Sequence, residues 1–418
     1  MKRRDFLSSA VAAASAALFL RGREASAASS AGALWVNLQA TGGWDQALFC
    51  DPKPGLRALT IAADREVRAA GGIPYLGFSD FGRATDQGFF GRYHDRMTVF
   101  NGVDTATNNH ELGARYSSCG SRNDGHPCLA AQVAAVHGAE SPLAFLDYGG
   151  FDGTADLVAP IRLQLGQGRL LASLVNPASD GLGGFVSASS ASVIEAAHQR
   201  RLQRQQAAAR LPGVQQGLDA LLRGRRAQKD LQKLAIPART DTYAQLMDLA
   251  FSAYEQGLAQ SVGLSIGGFD THTDNEAGQA AGLAAVFALI GYIIDEAERR
   301  GLPVVVVATS DFGRSPHYTG GGTDHWPVSS VLVVQSAAAR QKALTLPVNR
   351  VIGASTDGGV GDALRAIKIN PKTFQQDDAG VTVTPGHLFR ALRRLAKLDG
   401  APALARYPLT VDRDLAIG

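Results

Sequence analysis

The sequence lacks the features that define several common classes of protein. Its three cysteines are too few for a disulfide scaffold, and without a Cys-x-x-Cys pair they do not indicate a zinc ribbon. Charged residues make up 19% and hydrophobic residues 45% of the chain, which excludes a disordered or fibrous protein. We find no internal repeat. A chain of 418 residues can bury a large core without disulfide bonds.

The chain also lacks a general excess of positive charge. Its formal net charge is +3, and residues 1–27 account for all of it, with five Lys or Arg against two acidic residues. The rest of the chain therefore has a formal charge of zero. This gives no argument from bulk charge for binding to nucleic acid or to an anionic membrane, and we expect no nucleic-acid partner.

Residues 1–27 have the regions of a secretory signal. Lys2, Arg3 and Arg4 precede an apolar run at 10–20, and Ala25-Ser26-Ala27 is a small-x-small cleavage pattern. The paired arginines followed by Phe-Leu resemble a twin-arginine signal, which bacterial export machinery reads. The run is shorter than the ~20 residues of a spanning helix, although a retained membrane anchor is the alternative. We expect a periplasmic or secreted protein whose mature form has no transmembrane segment.

Short apolar runs alternate with helical patterns after the signal. The runs that predict strands lie at 33–38, 97–100, 142–148, 261–266, 303–308 and 328–334. The patterns that predict helices lie at 127–137, 276–299 and 384–398. This alternation predicts an α/β fold, a three-layer sandwich with a mostly parallel sheet, in a domain covering 33–400.

A basic segment interrupts this alternation. Residues 198–233 carry nine Lys or Arg against two Asp, with Gln and Ala between them. We predict a helical insertion at 195–240, outside the sheet. It is either a solvated helix pair or a positive lid that attracts an anionic substrate or an acidic partner.

Polar clusters that contain Asp, His or Asn follow several predicted strands or glycine turns. They lie at 42–45, 105–110, 267–275, 310–315 and 323–326. Because the carboxyl ends of parallel strands meet at one edge of a sheet, these clusters can converge there. Carboxylates and imidazoles that converge are suitable ligands for a divalent metal. Each acid taken alone could instead form a turn or cap a helix.

Four motifs together carry a resemblance to a known family. They are Gly-Gly-Trp-Asp, Gly-Gly-Phe-Asp-Thr-His, Ser-Asp-Phe-Gly-Arg-Ser-Pro and Thr-Asp-His-Trp. They resemble the bacterial family catalogued as domain of unknown function 1501, which typically carries twin-arginine signals. At the level of the fold, that family resembles the alkaline phosphatase and sulfatase superfamily. The resemblance runs from about residue 34 to 398 and is interrupted by the basic segment.

The superfamily resemblance implies a two-metal site that hydrolyses phosphate or sulfate esters. The divalent metal would be Zn, Mn, Mg or Ca, and the substrate a small anionic ester. By position, the implied metal ligands are Asp45, Asp270, His272, Asp311 and His325. Arg314 would hold an ester oxygen in a bidentate pair, or would form a surface salt bridge.

The sequence departs from the superfamily pattern at three places. Asp270 and His272 are closer together than in the superfamily, which puts in doubt whether both reach one metal. Phe312 stands where the superfamily has the His of an Asp-His pair, and Asn109-His110 lies where a nucleophilic hydroxyl is expected. Thr107 or a bound water is the candidate nucleophile, and His110 is a candidate ligand, base or phosphate contact. Two functions remain open: an exported metal-dependent hydrolase, or a catalytically degenerate protein that binds an envelope component or a partner through its basic segment.

Overall fold

The computed structural model describes residues 32–53, 67–76, 86–163, 188–226, 234, 241–341, 346–358 and 364–417. The signal predicted at 1–27 lies outside these residues, as do 227–233 and 235–240 of the predicted insertion.

An eight-stranded sheet lies at the centre of the molecule. From one side to the other its strands are β12 (Arg350–Ile352), β4 (Met97–Asp104), β11 (Val328–Gln335), β8 (Val304–Ser310), β1 (Leu34–Ala40), β7 (Ser261–Ile266), β5 (Phe145–Tyr148) and β6 (Pro160–Arg162). All neighbouring strands are parallel except β11, which is antiparallel to both β4 and β8. The predicted α/β class with a mostly parallel sheet is confirmed.

Besides three short 3-10 helices, the other elements within the described residues are three antiparallel hairpins and nine α-helices. The hairpins are β2 (Val67–Ala70) with β3 (Ile73–Leu76), β9 (Gly313–Thr319) with β10 (Gly322–Trp326), and β13 (Ser355–Asp357) with β14 (Leu364–Ala366). The helices are α1 (Asp86–Tyr93), α2 (His110–Cys119), α3 (Leu129–His137), α4 (Ala188–Ala208), α5 (Pro212–Arg226), α6 (Thr242–Glu255), α7 (Asn275–Arg300), α8 (Ala337–Gln341) and α9 (Pro385–Leu395).

Helices cover both faces of the sheet, as a three-layer sandwich requires. Successive side chains of a strand point to opposite faces, so the valines of β8 divide between two cores. Val304 and Val306 pack in the core that contains α7, whereas Val305 and Val307 pack in the core that contains α9. Burial on both sides explains why this strand is an unbroken run of valines.

The register of the central strands brings their carboxyl ends to one edge of the sheet. Ala40, the last residue of β1, pairs with Ile266 at the end of β7 and with Ser310 at the end of β8. β4 ends at the same edge, where Asp104 pairs with Val328 at the start of the antiparallel β11. The polar clusters predicted from the sequence all adjoin this edge.

β4 is longer than the sequence indicated. We predicted a strand at 97–100 followed by a polar segment from Asn101, but the strand continues to Asp104. Asn101 fits inside it because its side-chain amide donates to the Cys50 carbonyl at 2.7 Å and its Oδ1 accepts from Ser330 Oγ at 2.7 Å. The extension carries the chain to the edge where the site lies.

The described part of the basic segment is helical. Helices α4 and α5 contact each other and are joined by a short turn at 209–211, so they form a helical hairpin. Leu202 and Leu222 are the buried apolar side chains of this pair.

Helix α7 is long and apolar enough to cross a membrane by length and composition, which we did not expect from the sequence. Of its most apolar stretch, 61% is buried inside the molecule. The helix lies against the sheet in one of the two cores, which explains its composition.

Candidate metal centre

Asp270 lies at the centre of the polar groups at this edge. It follows β7 in the loop 267–274, and its side chain is 49% exposed. Its Oδ1 lies 3.0 Å from His272 Nε2, 3.0 Å from His325 Nε2 and 2.6 Å from an Arg314 nitrogen. Its Oδ2 lies 3.6 Å from His110 Nε2. The Nε2 atoms of three histidines, from three separate segments of the chain, therefore lie around one carboxylate.

The Nε2 atoms of the three histidines converge on this carboxylate. His272 Nε2 and His325 Nε2 are 3.0 Å apart, and each is 3.0 Å from Asp270 Oδ1. His110, Asp270 and His325 each offer one donor atom, and these atoms all lie within 4.8 Å of one another. The group is a possible metal site among the described residues, and it includes His110, which the sequence left without a fixed role.

The other ring nitrogen of each histidine faces an oxygen. His110 Nδ1 lies 2.9 Å from Asp311 Oδ2, and His325 Nδ1 lies 2.9 Å from the Asn108 carbonyl. His272 Nδ1 lies 3.4 Å from Asp324 Oδ1. Carbonyl and carboxylate oxygens can only accept, so these contacts place a proton on Nδ1 and orient Nε2 toward Asp270. Metal-binding histidines in proteins are held in this way.

The donor set fits a divalent metal. With Nδ1 protonated, a neutral imidazole presents a lone pair at Nε2, so lone pairs of His272 and His325 face each other and Asp270 Oδ1. Such an arrangement needs a proton or another cation between the atoms. Two donor atoms about 2.1 Å from one ion are about 3.0 Å apart at a right angle and about 3.4 Å apart at the tetrahedral angle of zinc, so donors 3.0 Å apart are close enough to share an ion.

Asp270 is held in its ionised form. Burial alone would raise its pKa, but three effects lower the pKa to about 2: a hydrogen bond from His325 Nε2 when a proton rather than a metal lies between the two atoms, the hydrogen bond from Arg314, and the positive charge of Arg314. The carboxylate is therefore negatively charged at any pH at which the protein would be studied, as a metal ligand must be.

Arg314 is not placed as we predicted. Its side chain is fully buried, and its guanidinium donates to the carbonyls of Gly42, Gly43, Phe269 and Thr323 as well as to Asp270. A guanidinium used in this way neither forms a surface salt bridge nor faces a substrate oxygen. Arg314 instead links the loops after β1 and β7 to strand β10 and positions Asp270.

Asp311 contacts a histidine of the cluster but is not among the close donor atoms. Its side chain is 4% exposed; Oδ1 accepts from Gln39 Nε2, and Oδ2 accepts from the Gly42 backbone N–H and His110 Nδ1. We predicted Asp311 as a ligand, but its oxygens already accept three hydrogen bonds. In this arrangement Asp311 orients the imidazole of His110.

Asp45 has its own structural contacts. Its Oδ1 caps the 3-10 helix Gln46–Leu48 by accepting from the Ala47 N–H, and its Oδ2 accepts from Asn275 Nδ2 at 3.1 Å. Burial raises its pKa to about 6 against the lowering effect of these hydrogen bonds. Asp45 does not belong to the group of close donor atoms, and its role as a ligand stays a prediction.

The loop between β4 and α2 supplies two of the predicted residues. Thr107 Oγ1 accepts from the Asn109 N–H at 3.1 Å, and Asn109 caps α2, whose first residue is His110. Ala106 in this loop has φ +48, a conformation that costs energy for a residue other than glycine. The structure thus fixes the loop next to the site, and the nucleophilic role of Thr107 remains untested.

Phe312 and two glycines support the centre. The buried Phe312 ring lies 4.5 Å from the ring of His325 and 4.9 Å from that of His110, so it packs against both imidazoles. Gly42 has φ +117, and a Cβ there would lie 2.4 Å from Asp270 N. A Cβ at Gly113 would lie 2.4 Å from Asp311 O. Glycine is therefore required where the β1 loop and α2 approach the site.

A cavity of about 640 Å³ opens to solvent beside His110 and Asp311. Its other walls come from β1 and the loop after it, from α2 and from the loop after β5: Gln39, Thr41, Gly42, Glu111, Ala114, Gly150 and Phe151. The cavity is the place where a molecule bound at the centre can extend.

Sequence reasoning missed the residues that hold the histidines. Asp324 was part of the Thr-Asp-His-Trp motif, but only its neighbour His325 was selected. Asn108 acts through its backbone carbonyl, which carries no sequence signal, and Gln39 lies inside β1, where it donates to Asp311. Only Asp324 could have been found, because it adjoins a candidate ligand.

Fold and site together define an α/β protein with a cluster of histidines and aspartate at the carboxyl edge of its sheet. The sequence profile of a family described as protein of unknown function, DUF1501, matches residues 185–340. The resemblance predicted from the motifs is confirmed for this part of the chain. The matched range contains the basic segment, which we had expected to interrupt the resemblance. No curated protein matches the sequence.

Several solved structures are similar to the chain. Alkaline phosphatase from the Antarctic bacterium TAB5 is 11% identical with a TM-score of 0.33, over 74% of this chain and 92% of that chain. A mutant of the TAB5 enzyme with Mg bound is 12% identical with a TM-score of 0.33, over 74% and 93%. The C-terminal periplasmic domain of EcEptC from Escherichia coli, in complex with Zn, is 10% identical with a TM-score of 0.35, over 87% and 82%.

Proposed function

We propose that this protein is an exported, metal-dependent hydrolase of phosphate or sulfate esters. One observation carries the proposal: three imidazole Nε2 atoms converge on the ionised carboxylate of Asp270, while each Nδ1 faces an oxygen. A cluster of this kind beside an open cavity is the arrangement expected of a hydrolytic metal site.

His110, His272, His325 and Asp270 would hold the ion. A set rich in imidazole suits Zn²⁺ better than Mn²⁺, Ca²⁺ or Mg²⁺, which favour oxygen ligands. When bound, such an ion supplies positive charge that polarises the ester and stabilises the negative charge that develops during hydrolysis.

The residues around the donors have separate tasks in this proposal. Arg314 keeps Asp270 ionised and in place through its contact at 2.6 Å. Asp311 and the Asn108 carbonyl hold the rings of His110 and His325, and Phe312 packs beneath both rings. Because Arg314 is used internally, it does not bind the ester oxygens. Thr107 is the side-chain candidate for the nucleophile, and water is the alternative.

The cavity beside His110 would receive the organic group of the ester. Phe151 and Ala114 give it apolar walls, and Glu111, whose Oε1 lies 3.4 Å from an Arg115 nitrogen, lies at its side. The apolar walls favour a small ester whose organic group is apolar.

The proposed location is the periplasm or the cell exterior. It rests on the pattern of residues 1–27, which resembles a twin-arginine signal. Replacing Arg3 and Arg4 by Lys should leave the protein in the cytoplasm of an expressing bacterium. Export of this variant at the normal rate would contradict the twin-arginine route.

The test of the hydrolase is direct. We expect the purified protein to contain zinc or another divalent metal at about one ion per chain or more, and to hydrolyse para-nitrophenyl phosphate or sulfate. A chelator should abolish this activity, and the metal should restore it. A folded protein that neither retains nor binds divalent metal, and that hydrolyses neither ester, contradicts the proposal.

A second candidate is a protein on the same fold that binds a partner without catalysis. The presence of Phe312 in place of an imidazole favours it, since the superfamily pattern loses one metal ligand there. Metal binding without hydrolysis of either ester, by a protein with all three histidines intact, would support this candidate over the first.

A further inference from the structure

The exposed apolar side chains of the described residues are concentrated on the helical hairpin α4–α5. Six large apolar side chains are exposed, and five of them lie on this hairpin: Val193, Ile194, Leu211, Val214 and Leu221, which are 47–68% exposed. The sixth, Val67, is 40% exposed and lies on β2. Single exposed apolar residues are normal, but a concentration on one element marks an interaction surface.

The hairpin is also strongly basic. Residues 188–226 contain seven arginines and two acidic residues, a net charge of +5. Because the whole chain has a net charge of +3, all other residues together carry −2. Residues 1–27 contribute +3, so the rest of the chain outside the hairpin carries −5. Beyond residue 27, the excess of positive charge therefore lies on the element that exposes apolar side chains.

On α4 the charged and apolar side chains share a face. Val193 and Arg200 are seven residues apart, as are Ile194 and Arg201, and this spacing returns a side chain to nearly the same side of a helix. All four residues are exposed, whereas Leu202 is buried. Packing against α5 therefore leaves a face of α4 that carries both arginine and aliphatic side chains.

Helix α5 and the turn also expose apolar side chains. Val214 and Leu221 are also seven residues apart and exposed, whereas Leu222 is buried. Leu211 in the turn is 68% exposed, and Arg210 beside it is exposed as well. The tip of the hairpin thus presents an aliphatic side chain next to a guanidinium.

We propose that the hairpin α4–α5 binds the surface of an anionic lipid bilayer. The hairpin surface consists of the five apolar residues named above together with Arg200, Arg201, Arg204 and Arg210. The aliphatic side chains enter the boundary of the acyl chains, and the arginines contact the phosphate groups of the lipids. Basic helices with an exposed apolar face bind membranes in this way.

Charge favours a bilayer over a second copy of this chain. Two hairpins that pack against each other would bring two net charges of +5 together, and like charges oppose such a contact. An anionic surface instead attracts both the net charge and each exposed arginine. Binding to lipid does not depend on the proposed hydrolase, since none of the hairpin surface belongs to the metal centre.

The test uses the purified full-length protein and sedimented vesicles of phosphatidylglycerol or phosphatidylcholine. We expect binding to phosphatidylglycerol that is at least about tenfold tighter than to phosphatidylcholine, and that falls steeply between 0.05 and 0.5 M NaCl. Equal binding to both lipids, or no binding to phosphatidylglycerol, overturns the proposal.

Matched variants locate the binding surface. Changing Arg200, Arg201, Arg204 and Arg210 to Gln should weaken binding to phosphatidylglycerol at least about 100-fold, since each arginine near the surface contributes about fivefold. The control changes Arg365, Lys372, Lys397 and Arg406 to Gln, which removes the same charge from exposed positions outside the hairpin. An equal loss in the control overturns the assignment. Residues 1–27 are identical in all these proteins, so their own affinity for lipid cancels.

The apolar contribution is tested by one substitution at two places. Val214→Ser should weaken vesicle binding several-fold, and Val67→Ser, at a similarly exposed valine on β2, should leave it unchanged. Circular dichroism and thermal unfolding establish that each variant is folded. If the hairpin variants dissociate a dimer in sedimentation equilibrium and the parent protein does not bind vesicles, the surface belongs to a second copy, and the proposal is wrong.

Discussion

The carboxyl edge of the central sheet and the hairpin α4–α5 differ in whether their side chains have partners within the protein. At the sheet edge, groups from segments more than 200 residues apart meet, as in the contact of His110 with Asp311. Buried charged groups such as Arg314 and Asp311 have several partners there. The hairpin is formed by neighbouring segments, and five of its large apolar side chains are 47–68% exposed.

The two regions are therefore suited to different ligands. At the sheet edge the protein has already desolvated and oriented its polar groups, so a small cation finds a rigid set of donors. On the hairpin the exposed apolar area and the uncompensated charge persist until a large surface covers them. We expect substitutions in the first region to change metal binding and those in the second to leave it unaltered.

The largest effect should follow from Asp270→Asn. The substitution removes the charge shared by three imidazoles and Arg314, so we expect metal affinity to fall by more than about 100-fold and ester hydrolysis to be lost. Asp274→Asn is the control, because it makes the same change in the same loop at a residue whose side chain does not cap α7. Asp274 has φ +49, which Asn tolerates. Isothermal titration with Zn²⁺ measures both affinities, and equal losses would contradict the site.

A smaller effect should follow from Asp311→Asn. The carboxylate accepts from Gln39, Gly42 and His110, and an amide cannot accept from all three because its nitrogen donates. His110 would lose its orientation, and metal affinity should fall about 10- to 100-fold. Asp147→Asn is the control: Asp147 is also a buried carboxylate near the end of a strand of the same sheet, and burial raises its pKa to about 6. If Asp311→Asn matches Asp270→Asn, Asp311 is a ligand as we first predicted.

The sequence predicted the central strands and the edge at which the site lies. The four valines of β8 need burial on both faces, and the polar residues after β1, β7 and β8 mark the ends of those strands. It did not reveal that β11 is antiparallel, since an apolar run at 328–334 is the same pattern in either direction. This reversal matters because it returns His325, just before β11, to the edge where β4 ends.

The finer division of roles at the site was not predictable. Arg314 can be buried because backbone carbonyls from two loops and from β10 accept its hydrogen bonds, and the sequence does not show which carbonyls will lie there. Asp270 and Asp311 are both aspartates shortly after a strand, so the sequence does not distinguish their roles. Only the register of the loops makes Asp270 the meeting point of the imidazoles and Asp311 the residue that orients one of them.

Asp45 tests whether a carboxylate buried at the sheet edge lowers the free energy of unfolding of the protein. Its pKa is about 6 in the folded protein, against about 3.9 in an unfolded chain, so the folded state binds more protons between these values. Stability contributed by Asp45 therefore falls as the pH rises from about 4 to 6 and stays low above that range. Asp45→Asn lacks this titration. Its free energy of unfolding relative to that of the parent should therefore rise by about 1–2 kcal/mol from pH 4.5 to pH 7.5. The loss of hydrogen bonds in the variant lowers its stability at both pH values alike.

Urea unfolding at the two pH values measures this difference, and Asp378→Asn at an exposed position is the control. A difference between Asp45→Asn and the parent that does not change with pH would mean that the carboxylate is ionised throughout. Zinc titration of the same variant decides the remaining prediction for Asp45. Unchanged affinity assigns it to the support of the 3-10 helix, and a loss of more than about 100-fold makes it a ligand.

The smallest effect should come from the exposed apolar residues of the hairpin. Leu211→Ser changes a side chain that is 68% exposed, so the free energy of unfolding should change by no more than about 0.5 kcal/mol. Leu222→Ser, in the same hairpin at a side chain 6% exposed, should cost at least about 2 kcal/mol because it removes a packed leucine and buries a hydroxyl. Urea unfolding measures both. If Leu211→Ser proves as costly as Leu222→Ser, Leu211 contributes to the folded protein itself, and the contrast between a satisfied sheet edge and an uncovered hairpin is lost. If Leu211→Ser leaves the free energy of unfolding unchanged, Leu211 does not stabilise the monomer, as expected of a residue that contacts another surface.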